Sequence, residues 1–377
     1  MAGIYIHIPY CKQKCNYCDF HFSTNPATIL QMTNAIIKEI ELKKDYLNPK
    51  PIIKTIYFGG GTPSFISDAH FLQIVTSIKQ HYKIDNQVEF TVECNPDDLT
   101  KEKLLFYKKI GVNRLSVGIQ SFDEYQLVFM NRAHNANEAE NCIKLAQSIG
   151  FNNITIDLIY GLPKTKLHYW QNQIGKAINL GVNHISAYCL TIEPKTVFGN
   201  QFKKGKLLPA TDAKSNKEFR VLINTLKENG FEQYEISNFA KKGYISKHNS
   251  AYWLGEKYIG IGPSAHSFNG DTRQWNVANN YKYINALNQN NTYFETEQLS
   301  IENKFNEHIL TRLRTKWGID LDYLSHISEH HLKSIQPQLK QFESSKDISI
   351  NKQIVTLTEK GKRLADYITG ELFVISQ

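Results

Sequence analysis

Long apolar runs are missing from this 377-residue sequence. None approaches the roughly 18–20 residues that span a bilayer, so a membrane-crossing chain is not expected. The opening Met-Ala-Gly-Ile-Tyr-Ile-His-Ile-Pro has no basic stretch ahead of a long apolar one, so a secretory signal is not expected either. Tracts of a single charge are also missing. Lys and Arg number 44 against 36 Asp and Glu, a formal net charge of +8, with lysines scattered in short runs such as Lys203-Lys204 and Lys241-Lys242. That balance speaks for solubility and gives no footprint for nucleic acid. Internal repeats and low-complexity tracts are absent, which excludes solenoid, collagen-like and disordered classes. What remains is a globular chain, 41% apolar and 21% charged. Its length exceeds one ordinary core, so two domains, or one barrel with an extension, are expected.

Cysteine is scarce as well, six in all, but three of them crowd together: Cys11, Cys15 and Cys18. A disulfide scaffold would spread its cysteines through a short secreted chain. The expectation is therefore a reducing, cytoplasmic setting. Cys94, Cys142 and Cys189 then read as small buried apolar residues.

The first 230 residues alternate apolar and amphipathic runs. Strand-like runs are Gly3–Ile8, Lys54–Phe58, Val88–Cys94, Arg114–Ile119, Ile154–Ile159 and His184–Leu190. Helical patterns lie between and after them, at about Ala27–Tyr46, Asp68–Tyr82, Lys101–Ile110, Ala136–Gly150, Leu167–Leu180 and Asp212–Asn229. Glycines 111, 150, 181 and 230 sit where helix ends want a left-handed residue. Six β-then-α units predict an α/β fold with a parallel sheet, either a partial barrel or a doubly wound sheet. Residues 231–275, rich in Gly, Ser, Asn and aromatics, break the alternation. Residues 276–377 look mostly helical, with a β-like pair near Ile348–Leu357, and form a smaller domain with a superficial winged-helix flavour.

Cys11, Cys15 and Cys18 form Cys-x3-Cys-x2-Cys directly after the first strand. Three thiolates on one loop suit three irons of a [4Fe–4S] cubane, leaving the fourth open to a ligand. An open metal position usually marks reaction. It can take the amino and carboxylate groups of S-adenosylmethionine, whose sulfonium C–S bond the cluster would split to a 5′-deoxyadenosyl radical. A zinc site with His7 or His21 as fourth ligand, or a redox switch, are the alternatives. The spacing is unusual for structural zinc.

Further motifs follow. Phe58-Gly-Gly-Gly-Thr-Pro63 lets backbone approach a ligand and expose its N–H groups, or is simply a tight turn. Glu93, Gln120 and Asp157 stand at the ends of the third, fourth and fifth strands, the level at which ligands sit in α/β folds. Arg132 suits bidentate carboxylate binding. His248, with Tyr252 and Trp253 in His-Asn-x-x-Tyr-Trp, reads either as a hydrogen-bonded structural histidine or as a heme ligand among packing rings.

The segment Tyr5-Ile-His-Ile-Pro-Tyr-Cys-Lys-Gln-Lys-Cys-Asn-Tyr-Cys-Asp-Phe20 resembles radical SAM proteins of the coproporphyrinogen-dehydrogenase-like family, and within it the HemW-type heme-chaperone branch. The resemblance runs from about residue 3 to the C-terminus, with several motifs in order. It implies a partial (β/α)6 barrel over 1–230, a motif-bearing insertion at 231–275 covering the site, and a C-terminal helical domain at 276–377. It implies cluster ligation by Cys11, Cys15 and Cys18. S-adenosylmethionine would be held by Gly60, Gly61, Thr62, Glu93, Gln120, Arg132 and Asp157, with Tyr5 packed near cluster and cofactor. Gly260-Ile-Gly-Pro-Ser-Ala-His-Ser267 would line the adenosine, and His248, Tyr252 and Trp253 would bind heme.

Within the family, coproporphyrinogen dehydrogenases carry a further cysteine two positions after the third; here that position is Phe20. They also have a long N-terminal extension, which this sequence lacks. Both departures favour a chaperone that hands heme to membrane respiratory hemoproteins over oxidative decarboxylation of coproporphyrinogen III. Peripheral membrane contact and a second copy of the chain stay open as partners. A DNA-binding redox regulator is the third reading. Its tail mixes Arg312, Arg314, Lys316, Lys352 and Lys360 with Glu302, Asp320, Asp322, Glu359 and Asp366, so no basic face emerges.

Overall fold

The computed structural model describes residues 2–375. Six strands, β1 (Ala2–Ile8), β2 (Ile53–Gly60), β3 (Ile84–Cys94), β4 (Arg114–Gln120), β5 (Ile154–Tyr160) and β6 (His184–Cys189), pair in parallel in chain order. Helices α1 (Ile29–Leu42), α2 (Asp68–His81), α3 (Lys101–Ile110), α4 (Glu124–Phe129), α5 (Ala136–Ser148) and α6 (Leu167–Asn179) connect them; α7 (Val197–Lys203) and α8 (Asp212–Glu228) follow β6. This is the expected partial barrel. Alternation explains it: on β1, Ala2, Ile4, Ile6 and Ile8 are buried under the helices, while Gly3, Tyr5 and His7 face the lumen. Side chains of Ser67, Thr100 and Asn135 cap α2, α3 and α5. Gly111 ends α3 at φ 101°.

Residues 231–275 do not lie over the strand C-terminal ends, and here the expectation is corrected. β7 (Glu232–Glu235) and β8 (Asn238–Ala240) extend the sheet antiparallel beyond β6. β9 (Lys257–Ile261) pairs in parallel with β1 at the opposite edge. Helix α9 (Lys247–Trp253) runs between them and closes the strand N-terminal end. Its first amides, Lys247 N and His248 N, donate to the Glu89 carboxylate at 2.9 and 2.8 Å. Hairpin strands β10 (His266–Phe268) and β11 (Thr272–Asn276), then β12 (Phe294–Gln298), complete a twelve-stranded sheet.

The domain boundary also moves. Helix α10 (Asn280–Asn288) places Tyr283, Ile284 and Leu287 in the main core with Tyr293. A separate core begins at Phe305 and joins α11 (Ile301–Leu313), α12 (Leu321–Ile327), α13 (Glu329–Ser344) and α14 (Ala365–Glu371) to a three-stranded sheet, β13 (Ile319–Asp320), β14 (Ile348–Asn351) and β15 (Ile354–Leu357). The smaller domain thus starts near residue 300. The expected hairpin is present.

Candidate functional site at the open end of the barrel

A cavity of about 650 Å³ opens at the strand C-terminal ends. Cys11, Cys15, Cys18, Gly60, Gly61, Thr62, Glu93, Gln120, Arg132 and Asp157 all line it, as does Phe20 on its rim, 75% exposed. Ten residues expected at the cluster and at S-adenosylmethionine are therefore brought together from the cysteine loop, the ends of β2 to β5 and the segment before α5.

The cysteine loop is tied at several points. Ser23 N donates to Pro9 O at 2.9 Å and Cys11 N to Ser23 O at 3.0 Å. Asn16 N donates to Met130 O, and Asn16 Nδ2 to Phe129 O. Asn131 Nδ2 donates to Lys14 O at 2.7 Å, and Phe198 N of α7 to Asn16 O at 2.9 Å. The loop before α5 and helix α7 thus fix the cysteines, so that little ordering remains for ligand binding. Asn16, Asn131 and α7 were not anticipated from the sequence; the short helices α4 and α7 carry too few turns for a clear period.

Two of the sulfurs have polar partners. Thr62 Oγ1 donates to Cys11 Sγ at 3.5 Å, and Arg132 Nη1 donates to Cys15 Sγ at 3.3 Å. Burial pushes the Cys11 thiol up to about 12, and burial raises Cys18 too. Metal binding at these thiols must therefore release protons. Among the described residues no three His, Cys, Asp or Glu side chains stand close enough to share one ion. Both histidines considered as a fourth zinc ligand are engaged elsewhere. His7 Nε2 donates to His21 O, and His21 Nε2 to Asn280 Oδ1. A cubane takes each thiolate on a different iron, so its sulfurs stand wider apart than those on a single ion. Three loop thiols around one cavity, with a cation and a hydroxyl at their sulfurs, fit such a group.

The glycine turn works differently from expectation. Gly60 N donates to Glu93 Oε2 at 3.1 Å, Gly61 N to Ile8 O at 2.9 Å and Thr62 N to Tyr10 O at 2.7 Å. Its N–H groups are thus committed within the protein, leaving carbonyls as the acceptors it can offer an ammonium donor. A Cβ on Gly61 would stand 2.6 Å from Tyr10 O, which makes glycine obligatory there.

Glu93 also accepts from Tyr57 Oη at 2.7 Å, and burial raises its carboxyl to about 7. Burial likewise raises Asp157 to about 6. Gln120 ends β4 in the left-handed region, φ 63°, a strained position that turns the chain at the cavity. Arg132 Nη2 donates to Asn95 Oδ1 and Gly118 O, each at 2.8 Å, and Nη1 also reaches Tyr17 Oη at 3.3 Å. Its Nε is buried without a partner. Asn95 is a site residue the sequence reading passed over; Tyr17, inside the quoted cysteine segment and expected to shield the cluster, is brought to the Arg132 guanidinium.

Tyr5, His248 and Tyr252 do not join this cavity. They line a second chamber of about 240 Å³ farther down the barrel. Tyr5 donates to His7 Nδ1 at 3.1 Å and packs on Tyr57, so it stands below the cysteines. His248 is 3% exposed; Nδ1 pairs with Thr55 Oγ1 at 2.8 Å and Nε2 with Tyr252 Oη at 2.9 Å. Its ring stacks on Tyr57 at 4.9 Å. Burial lowers its pKa to about 3, so it is neutral. With both nitrogens bonded and a strand-walled chamber around it, the ring presents no face to a porphyrin. The heme-ligand expectation for His248 is corrected to a structural role. Trp253 lies elsewhere, beneath the Arg314 guanidinium. The Gly260–Ser267 motif runs from β9 into β10, inside the sheet: Gly262 N is held by Glu39 Oε2 at 2.7 Å, and the motif lines neither cavity.

Residues 5–172 match the family model described as the Radical SAM superfamily. Over 374 residues the chain is 34% identical to the heme chaperone HemW of Bacillus subtilis (strain 168), covering 98% of each. It is 36% identical to the heme chaperone HemW of Escherichia coli (strain K12) over 266 residues, 70% of this chain and 69% of that protein. The fold is similar to that of coproporphyrinogen III oxidase (HemN) from Escherichia coli, with a TM-score of 0.85, 19% identity, and 99% and 90% of the two chains covered.

Proposed function

Because the chain belongs to the heme chaperone HemW family of radical SAM proteins, we propose that it binds heme and delivers it, with a [4Fe–4S] cluster and S-adenosylmethionine held in its upper cavity. The observation that carries the reading is end-to-end similarity to the Bacillus subtilis heme chaperone. Phe20 supports it, standing where the dehydrogenases have a further cysteine.

Cys11, Cys15 and Cys18 would hold the cluster. When bound, it supplies one electron at an open iron, the chemistry that splits the sulfonium C–S bond. The chain's own part is positioning. The carbonyls of the Gly60–Thr62 turn accept from the ammonium group, Arg132 faces the carboxylate, and Glu93 and Asp157 accept from the ribose. Phe20, Phe22, Tyr188 and Leu190 give the cavity an apolar side on which a porphyrin face can rest.

The proposed recipients are membrane respiratory hemoproteins, met from the cytoplasm by peripheral contact. No helix of the described residues is long and apolar enough to cross a membrane. A second copy of the chain is the remaining candidate partner.

The test is anaerobic. Reconstituted, reduced protein is given hemin in one arm, and coproporphyrinogen III with S-adenosylmethionine in the other. Saturable hemin binding with no protoporphyrinogen is expected. Protoporphyrinogen from a protein that does not bind hemin would replace this reading with the dehydrogenase.

A further inference from the structure

The lower chamber contains a cation with no carboxylate in contact with it, although Asp157 on the same wall feels its charge. Arg114 opens β4 and is 2% exposed. One Nη donates to the Thr155 hydroxyl, and its Nε is buried with no partner. Among the described residues no carboxylate comes within 4 Å of it. The Glu93 oxygens accept from Tyr57 and from Gly60, not from Arg114. Burying an unpaired charge costs several kcal/mol, so natural sites supply a partner. Beside Arg114 the chamber is lined by Ser116, Ser186, Asn238 and His184, whose Nδ1 is also buried without a partner. Two independent groups thus face this chamber unsatisfied.

Access comes from one side. Helix α9 closes the floor through Ser246, His248, Asn249 and Tyr252, while Glu93, Ser116, Asp157 and Tyr188 line both the chamber and the cysteine cavity above it. A ligand must enter from above. One guanidinium matches one negative charge, and its fork matches a carboxylate. The Tyr5 and Tyr57 rings give methylene groups an apolar wall.

We propose that this chamber is a carboxylate-binding subsite built round Arg114, which receives a short alkanoate arm inserted from the cysteine cavity. Two sources share that chemistry: a free short-chain carboxylic acid, or a propionate of heme held above. The second rests on the heme-binding reading; the subsite itself does not.

Melting of the reconstituted protein is followed against sodium propionate, with sodium chloride at equal ionic strength as reference. Affinity for hemin and for iron protoporphyrin dimethyl ester is measured alongside. A saturable propionate stabilisation in the native chain, absent in Arg114→Gln, establishes the subsite for a free acid. If propionate has no effect, the subsite stands only on the heme arm. Hemin should then bind about tenfold more weakly to Arg114→Gln, with the dimethyl ester unchanged. Should Arg114→Gln fail to fold, Ser116→Val fills the chamber without touching its charge and should produce the same losses. Propionate and hemin responses that survive in whichever variant folds, or that are both absent from the native chain, overturn the proposal. A native chain that binds propionate through Arg114 but no hemin removes the heme-binding reading and keeps the subsite.

Discussion

The two ends of the barrel obey different rules. On the floor that α9 makes at the strand N-terminal end, Glu89 and His248 are fully engaged: α9 sets its amides on Glu89, and His248 spends both nitrogens on Thr55 and Tyr252. At the C-terminal end, groups are kept available. Thiols stand half-buried around a cavity, Gln120 holds a strained backbone, Arg132 keeps a free Nε, and two carboxyls are raised by burial. A site that binds must leave something unsatisfied, and the α9 floor shows how the same strands look where Glu89 and His248 are fully engaged. The chamber at Arg114 is where the second rule continues beneath the first.

Glycine tests this difference most strongly. On Gly61 a Cβ would meet only backbone, Tyr10 O at 2.6 Å, Tyr10 N at 2.8 Å and Ile8 O at 2.9 Å. Gly61→Ala should lose up to about 3 kcal/mol in urea unfolding. Gly175→Ala in α6, with nothing within 4 Å, should gain about 1 kcal/mol. Equal effects at the two positions would mean that the turn is not tightly determined.

Protonation separates the ends next. Glu93 has a folded pKa of about 7 against 4.5 unfolded, so the folded state holds the proton longer. Stability from this group is present below about pH 4.5 and falls as pH rises to about 7, by up to about 2 kcal/mol given the water its cavity admits. His248, lowered to about 3, has the opposite sign: its contribution is present above pH 6.5 and is lost as pH falls towards 3. Melting across pH 4–8 should show Glu93→Gln flattening the fall on the alkaline side, and His248→Gln flattening the fall on the acid side. Parallel curves for both variants would contradict the assigned environments.

The smallest effect belongs to neither end. Asp45 and Lys50 pair at 2.6 Å but are 63% and 66% exposed. Asp45→Asn should leave the melting temperature unchanged within measurement error.

The barrel was legible because its signals are local. Six apolar runs, helix caps and glycine stops recur at short range, and the strand ends place Glu93, Gln120 and Asp157 by alternation alone. The cysteine spacing carried its chemistry on one loop. What stayed hidden depends on distant partners. β9 pairs with β1 across some 250 residues of chain, and no periodicity reports such pairing. The family resemblance points to His248 as a ligand, although the residues alone favour a structural histidine; its partner, Thr55, lies far away in sequence. The glycine turn seemed to offer amides because Ile8, Tyr10 and Glu93, which engage those amides, could not be placed beside it. Arg114 was read as the start of a strand; the signal available was the polar alternation Arg114, Ser116, Gly118, Gln120 on a strand otherwise apolar.

The central claim is that three loop cysteines, and no others, hold the metal group on which the upper cavity depends. Iron and acid-labile sulfide should be measured after anaerobic reconstitution of the native chain, of Cys11→Ala, Cys15→Ala and Cys18→Ala, and of Cys142→Ala as the buried control. The account predicts about four irons per chain in the native protein and in Cys142→Ala, and loss of the cluster in each of the other three. A native chain without iron, or a Cys15→Ala protein that keeps its full complement, would contradict it.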